Sequence, residues 1–172
     1  MIESIRANFR KDAETKTSLD VNELIAEALA SLRDDLQRYQ ILIKAEPNAQ
    51  LPQIVGDRIQ LHQVLINLIS NAVDAMKANE RPRILDVGAE VRNEDAVVVS
   101  VADNGIGISP QDIERIFSPR FTTKSGGMGM GLAICRSILE AHDGQLWAAS
   151  NTPVGAVFQF ALRAAPAASI AV

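Results

Sequence analysis

What this chain has little of narrows its chemistry. Among 172 residues there is one cysteine, and there are two histidines. Cys135 has no second thiol for an internal disulfide, which suits a reducing cytosol. Together with His62 and His142 it makes too small a set for a Cys/His zinc site. Two histidines also fail to supply a Ser/His/Asp or Cys/His nucleophile arrangement. Long apolar runs are missing: nothing approaches the roughly 18 residues of a membrane span, and the N-terminus lacks the apolar centre of a signal peptide. Charge of either sign is not in large excess. The 17 Lys and Arg against 21 Asp and Glu leave a net charge of −4, and the basic residues are scattered, so the electrostatic footprint of a nucleic-acid binder is absent. No internal repeat is visible. A cytoplasmic domain is expected, with no nucleic-acid partner and no membrane contact of its own.

Apolar residues make up 47% of the chain, enough at this length to bury one core. The expected organisation is a helix end and linker over 1–17, one compact domain over 18–163 and a small-residue tail over 164–172. Ile2, Ile5 and Phe9 recur at helical spacing, and the periodicity then fades through Arg10 to Thr17. Asp20 can cap a helix whose capping box Glu23 completes, with an apolar face running from Leu24 to Leu36. Gln40 to Ala45 reads as a strand, and a second helix runs from Asp57 as cap to about Ala78. Arg83 to Val91 and Ala96 to Ala102 read as an antiparallel hairpin. Ser109 and Pro110 predict the start of a short helix, and 117–128 a mobile loop without periodicity. A third long helix is expected from Gly129 to His142, with Gly144 as its left-handed cap. Strands Gln145 to Ser150 and Ala156 to Arg163 follow. Strands adjacent in sequence predict an α/β (α+β) two-layer sandwich, a mixed, largely antiparallel five-stranded sheet with three long helices on one face.

Three stations on this frame carry candidate chemistry. On the second helix Gln63, Asn67, Asn71 and Asp74 fall at spacings of four, four and three, which places them in one stripe among apolar neighbours. Each unpaired buried amide costs about 1–3 kcal/mol, so the stripe requires partners: water, a structural network, or a ligand with its metal. Magnesium suits the last case, since it takes oxygen ligands and keeps most of its waters. The second station is Asp103, which ends an apolar strand before Asn104-Gly105-Ile106-Gly107-Ile108. A carboxylate there can accept from an exocyclic amine, and the glycines let a flat ring approach the backbone. Adenine fits that acceptor and guanine opposes it, although an ordinary Asp-Asn-Gly turn is the other reading.

At the third station Gly127, Gly129 and Gly131 open a helix whose amides can bind phosphate. The pattern is neither a Walker A sequence nor a dinucleotide fingerprint. Thr122, Thr123 and Lys124 could add hydroxyls and a cation, or form a solvated loop, and Phe117 and Phe121 have a structural role as their default. Cys135, among Leu132, Ile134 and Ile138, reads as a core residue, His142 as a helix end and Trp147 as a strand or core residue.

In order and combination NLISNAVDAM, DNGIGI, FTTK and GMGMGLAICRSILEAHDGQLWA resemble the asparagine box, first glycine box, phenylalanine box and second glycine box of sensor histidine kinases. The form of the first box and the Thr-Thr-Lys look most like the nitrogen-regulation and PAS-sensor branch. The resemblance implies the Bergerat fold of the GHKL superfamily, with ATP and Mg2+ as cofactors. It implies Asn67 as metal ligand and catalytic residue and Lys124 as a catalytic lid residue. Asn71, Asp74, Asp103, Gly105, Gly107, Thr123, Gly127, Gly129, Gly131 and Leu132 would contact the nucleotide. Where ATPase relatives carry a water-activating glutamate this chain has Gln63, which cannot be that base. Ser118 and Arg120 replace residues that are often acidic and aromatic in the phenylalanine box, and Val157 replaces a threonine often found near the adenine.

By the same resemblance the phosphate acceptor is a histidine on a two-helix dimerisation domain. Neither His62 nor His142 has that context, so the chain is expected to be a fragment of a homodimeric parent that also serves a response regulator. A stand-alone ATPase of the gyrase class, a nucleotide-controlled protein-binding module and a serine kinase on the same fold are the alternatives.

Overall fold

The computed structural model describes residues 15–119 and 131–166. Its strands are β1 (Thr17–Leu19), β2 (Ile41–Lys44), β3 (Ile54–Gly56), β4 (Arg83–Arg92), β5 (Ala96–Asp103), β6 (Gln145–Ser150) and β7 (Ala156–Arg163). The helices are α1 (Val21–Ser31), α2 (Arg33–Arg38), α3 (Arg58–Met76) and α4 (Gly131–Ala141). Five strands form one sheet in the order β2-β4-β5-β7-β6, with β2 parallel to β4 and the other pairs antiparallel. This is the expected mixed sheet. β1 pairs with β3 in a separate two-stranded sheet.

Alternation along the strands explains the layering. On β7, Ala156, Phe158, Phe160 and Leu162 are buried while the residues between them are half-covered. On β5, Val97, Val99 and Val101 join the same cluster. α3 brings Leu61, Val64, Leu65, Leu68, Ile69, Ala72, Val73 and Met76 onto that face. α1 and α4 pack on either flank of α3, with Leu24, Ile25 and Ala28 buried from α1 and Cys135 and Leu139 from α4. Each such aliphatic side chain stabilises the fold by about 1.5–3 kcal/mol relative to exposure, so this interface fixes the position of α3.

Local signals act as expected at several ends. Asp20 caps α1 by accepting from the backbone of Asn22 and Glu23, and Asp57 caps α3 by accepting from Gln60. Asn93 and Glu94 turn the β4–β5 hairpin with φ of 55° and 60°. Three local expectations need correction. The first helix is interrupted at Leu32, whose N–H is shared between the Ala28 and Ala30 carbonyls, and no glycine or proline marks the break. Residues 110–117 form consecutive turns rather than a helix, closed by three-residue bonds from Asp112 to Ser109, Arg115 to Asp112 and Ser118 to Arg115. At the end of α4 it is Asp143, at φ 55°, that takes the left-handed conformation. Gly144 is needed for a different reason: a β-carbon there would collide with the Ala161 carbonyl. α4 is described from Gly131, and its expected start at Gly129 and the expected loop from Arg120 onward lie outside the described residues.

Thr17, the last residue of the expected linker, pairs with Gly56, and Ala164, the first of the expected tail, bridges to Ile54. Both observations belong to strand pairing that spans the chain and has no local sequence signature.

Candidate functional site

The polar stripe of α3 lies at the edge of the helix interface. Gln63 is exposed and Asn67, Asn71 and Asp74 are half-buried. Asn67 has a defined amide orientation. Its Nδ2 donates towards the Gly131 carbonyl at 3.4 Å and the Cys135 sulfur at 3.5 Å, while its Oδ1 accepts from Gln63 Nε2 at 2.9 Å. The oxygen therefore faces away from α4 and keeps a second lone pair. An oxygen donor so placed fits a hard cation such as magnesium. Cys135 is fully buried, and burial pushes its thiol up to about 11. It is a neutral core thiol, as expected, but one in contact with a site residue.

Asp74 stands one turn beyond Asn71. Its Oδ1 is 2.8 Å from Lys77 Nζ, and the residue lines a crevice of about 250 Å3 with Tyr39 and Arg38 of the α2 side. The Lys77 ammonium also sits 4.7 Å from the centre of the Tyr39 ring. Asp74 thus shares its carboxylate with a structural cation at the shoulder of the stripe.

The C-terminal end of α3 also supports the second station. Asp103 is 2% exposed. Its Oδ1 accepts from Gly105 N at 2.8 Å and Ala156 N at 3.4 Å, and Oδ2 takes no hydrogen bond among the described residues. Burial raises its pKa above the ordinary carboxylate range, and the two backbone donors oppose that shift. An oxygen with an open lone pair on a buried carboxylate suits a neutral amine donor.

The turn after Asp103 is held by backbone. Ile106 N donates to the Ala75 carbonyl at 3.0 Å, and a β-carbon at Gly105 would overlap that same carbonyl. Gly107 adopts φ 76° beneath the Gly155 carbonyl. Gly155 in turn, at φ 109°, leaves no space for a β-carbon beside the Asp103 carbonyl. Asn104 fastens the turn from outside: its Nδ2 donates to Pro82 O at 2.7 Å, and its Oδ1 accepts from Ile84 N at 2.9 Å. Asn79 Nδ2 donates to the Asn104 carbonyl at 2.9 Å, and Asn151 Nδ2 to the Asp103 carbonyl at 2.8 Å.

The described part of the site is therefore one cleft edge, running along α3 from Asn67 to Ala75. Eight residues of helix span about 12 Å, with an amide oxygen and the start of α4 at one end and a buried carboxylate at the other. Gly131 and the half-buried Leu132 begin α4 beside Asn67. Thr123, Lys124, Gly127 and Gly129 lie outside the described residues. Phe117 is buried and meets Phe158 edge-on at 6.3 Å, the structural role expected of it. Sequence reasoning missed Ala75, Asn79, Asn151, Gly155 and Ala156 as parts of the base end. Asn151 and Gly155 were legible only as turn residues, and the others act through backbone groups or at long range.

Residues 56–166 match the family profile described as histidine kinase-, DNA gyrase B- and HSP90-like ATPase. The sensor protein FixL of Bradyrhizobium diazoefficiens is 41% identical over 160 residues, covering 93% of this chain and 30% of FixL. The chain spans less than a third of the length of the curated relatives it first matches. Among solved structures, the catalytic domain of histidine kinase ThkA superposes with a TM-score of 0.77 at 34% identity, covering 88% of this chain and 99% of that one. ThkA in complex with the response regulator TrrA gives a TM-score of 0.74 at 29% identity, covering 96% of this chain and 48% of that one.

Proposed function

Because the chain belongs to the histidine kinase-, DNA gyrase B- and HSP90-like ATPase family and is a histidine-kinase ATPase catalytic domain, we infer that it binds ATP along α3 and passes the γ-phosphate to a histidine on another domain. The observation that carries the reading is the pairing of an open acceptor on the buried Asp103 carboxylate, Oδ2, beside the C-terminal end of α3 with an outward amide oxygen, Asn67 Oδ1, at the middle of that helix. Asp103 would accept the adenine amine, and Gly105 and Gly107 would let the ring lie against backbone. Asn67 Oδ1 would hold Mg2+, which supplies charge neutralisation on the phosphates.

Asn71, Asp74 and the start of α4 at Gly131 and Leu132 would orient the phosphates, with α4 presenting its N-terminal amides. Thr123, Lys124, Gly127 and Gly129 complete the lid in this reading. An imidazole nitrogen then bonds to the γ-phosphorus as the bond to the β–γ bridging oxygen breaks, giving phosphohistidine and ADP. The chain contributes positioning and electrostatic stabilisation to that step. Gln63 supports transfer over hydrolysis: its amide donates to Asn67 and has no basic atom for activating water.

The partners in this reading are a histidine-bearing dimerisation domain in a homodimeric, cytoplasm-facing parent of the PAS-sensor type, and a response regulator, as ThkA has in TrrA. The test mixes the chain with a two-helix histidine domain and γ-labelled ATP. Acid-labile label on that domain, lost in Asn67→Ala, is expected. ATP binding without any transfer would sink the kinase reading, acid-stable label would indicate a hydroxyl acceptor, and rapid phosphate release without a partner would favour an ATPase.

A further inference from the structure

His142 is 6% exposed, one of only two buried polar or charged side chains among the described residues, and nothing in the proposed phosphotransfer uses it. Both of its ring nitrogens are engaged. Nε2 accepts from Asp57 N at 3.0 Å, so the proton resides on Nδ1, which donates to the Ile138 carbonyl at 2.8 Å. Asp57 is the residue that caps α3, and His142 follows the last residue of α4. The ring lies against Gly56, where a β-carbon would come within 3.1 Å of Cδ2 and 3.3 Å of Nε2. From the other side Lys16 Nζ donates to the Ala141 carbonyl at 2.7 Å.

The polar contacts between the two helices fall in reversed order. Asn67 meets Gly131 and Cys135, Val64 O meets Cys135, and Asp57 meets His142. α3 and α4 therefore run antiparallel, with α4 tied near both of its ends, to the middle of α3 at Asn67 and to its cap at Asp57. The ties differ in quality. At the Asn67 end the bond to the Gly131 carbonyl is 3.4 Å long, beyond the usual N–H···O range, and the other two contacts, at 3.5 and 3.9 Å, involve the Cys135 sulfur, a weak donor and acceptor. At the His142 end the bond between the helices, from Asp57 N to Nε2, is 3.0 Å, and the ring that accepts it is fixed within α4 by the 2.8 Å bond to Ile138 O. An axial slip of α4 by one residue would move Gly131 about 1.5 Å along Asn67, and the long contacts offer little resistance to it. The shorter one does.

We propose that His142 is a positioning residue for the nucleotide site: by joining the end of α4 to the cap of α3 it sets the register that places Gly131 opposite Asn67. The inference rests on the reading of the Asn67 end of the cleft as the metal and phosphate end. A histidine that only completes the core would stabilise the whole domain and leave the balance between the two ends of the site unchanged.

Two variants separate these roles. In His142→Asn the amide nitrogen can still donate to Ile138 but is too short to reach Asp57. In His142→Gln the longer side chain can accept from Asp57 N. Affinities of the chain for adenosine and for a non-hydrolysable ATP analogue with Mg2+ are measured by calorimetry, with thermal unfolding alongside. Loss of one hydrogen bond predicts that His142→Asn weakens Mg–nucleotide binding about three- to tenfold relative to adenosine, and that His142→Gln restores the ratio. An unchanged ratio in His142→Asn, whatever its melting temperature, overturns the proposal, as does equal loss of both ligands. Asn67→Ala is the independent control. If it leaves the ratio unchanged while His142→Asn lowers it, the assignment of Asn67 fails and the positioning role of His142 stands. If Asn67→Ala lowers the ratio and His142→Asn does not, only the His142 proposal fails.

Discussion

The two ends of the α3 cleft are built on different terms. At the base end Asp103 is nearly inaccessible, its turn is bonded to α3, and backbone approaches at Gly105 and Gly155 are closed to any side chain. At the metal end Asn67 is half-buried, its amide contacts to α4 are 3.4 and 3.5 Å long, and its oxygen leans on an exposed glutamine. The base end is complete before anything binds. The proposed metal end presents an oriented oxygen and, in that reading, would rely on its ligand for the remaining bonds. In the proposed reading, selectivity would reside where the protein is stiff, and the reacting phosphates would be held where it is not.

The strongest challenge to that contrast is Asp103→Asn. It exchanges an acceptor for a donor at the open oxygen while keeping an acceptor for Gly105 and Ala156. Loss of a hydrogen bond to a charged group predicts adenosine affinity lower by about ten- to a hundredfold, read by calorimetry. Stability should move the other way. Burial raises the Asp103 pKa in the folded chain, so its favourable contribution is complete below the ordinary carboxylate range and is lost as pH rises through the raised value. At neutral pH the charged form costs stability, and the variant should melt no lower than the parent chain, with any advantage shrinking as the pH is lowered into the carboxylate range. A clear drop in melting temperature at pH 7 would contradict this.

Gly155→Ala comes next. The residue sits at φ 109° with its neighbour's carbonyl in the way, so a loss of about 1–3 kcal/mol in unfolding free energy is expected from backbone strain, with adenosine binding weakened in step. A neutral result would mean that the base end yields more easily than its close contacts indicate. At the other end Asn67→Ala should lower the Mg2+-dependent part of nucleotide affinity about tenfold, or about 1.4 kcal/mol, and spare adenosine. The smallest effect belongs to Gln63→Ala, which removes an exposed bond to Asn67 Oδ1. About threefold or less in Mg–ATP affinity is expected, and a larger loss would show the metal end to be as fixed as the base end.

Much of this was legible locally. The bounds of β6 and β7 coincide with the strands read on either side of Asn151 to Gly155, because glycine and proline punctuate there. The cap of α3 at Asp57 and the apolar face of that helix were likewise legible, since both depend on near neighbours. Residues whose partners are remote were not. The engagement of His142 with Asp57 crosses 85 positions, and that of Asp103 with Ala156 crosses 53. A helix-end histidine and a turn alanine carry no local mark of either. The misplaced left-handed cap has a similar cause: glycine at 144 answers to the Ala161 carbonyl across the β6–β7 pair, so its presence reports close approach rather than its own backbone angle. Gln63, Asn67, Asn71 and Asp74 share one stripe by their spacing, but the pairing that draws Asp74 towards Lys77 has no mark in that spacing.

Ile54 pairs with Leu19 on one side and bridges to Ala164 on the other. The first and last strands of the described domain thus leave from neighbouring positions. A unit of this kind can be spliced into a surface loop of a host protein without stretching either junction, and joining its ends by a short peptide would permit a circular permutation opened elsewhere. The same proximity makes the domain a single-handled body: a pull applied to either flank arrives at one point, directly before the cap of α3.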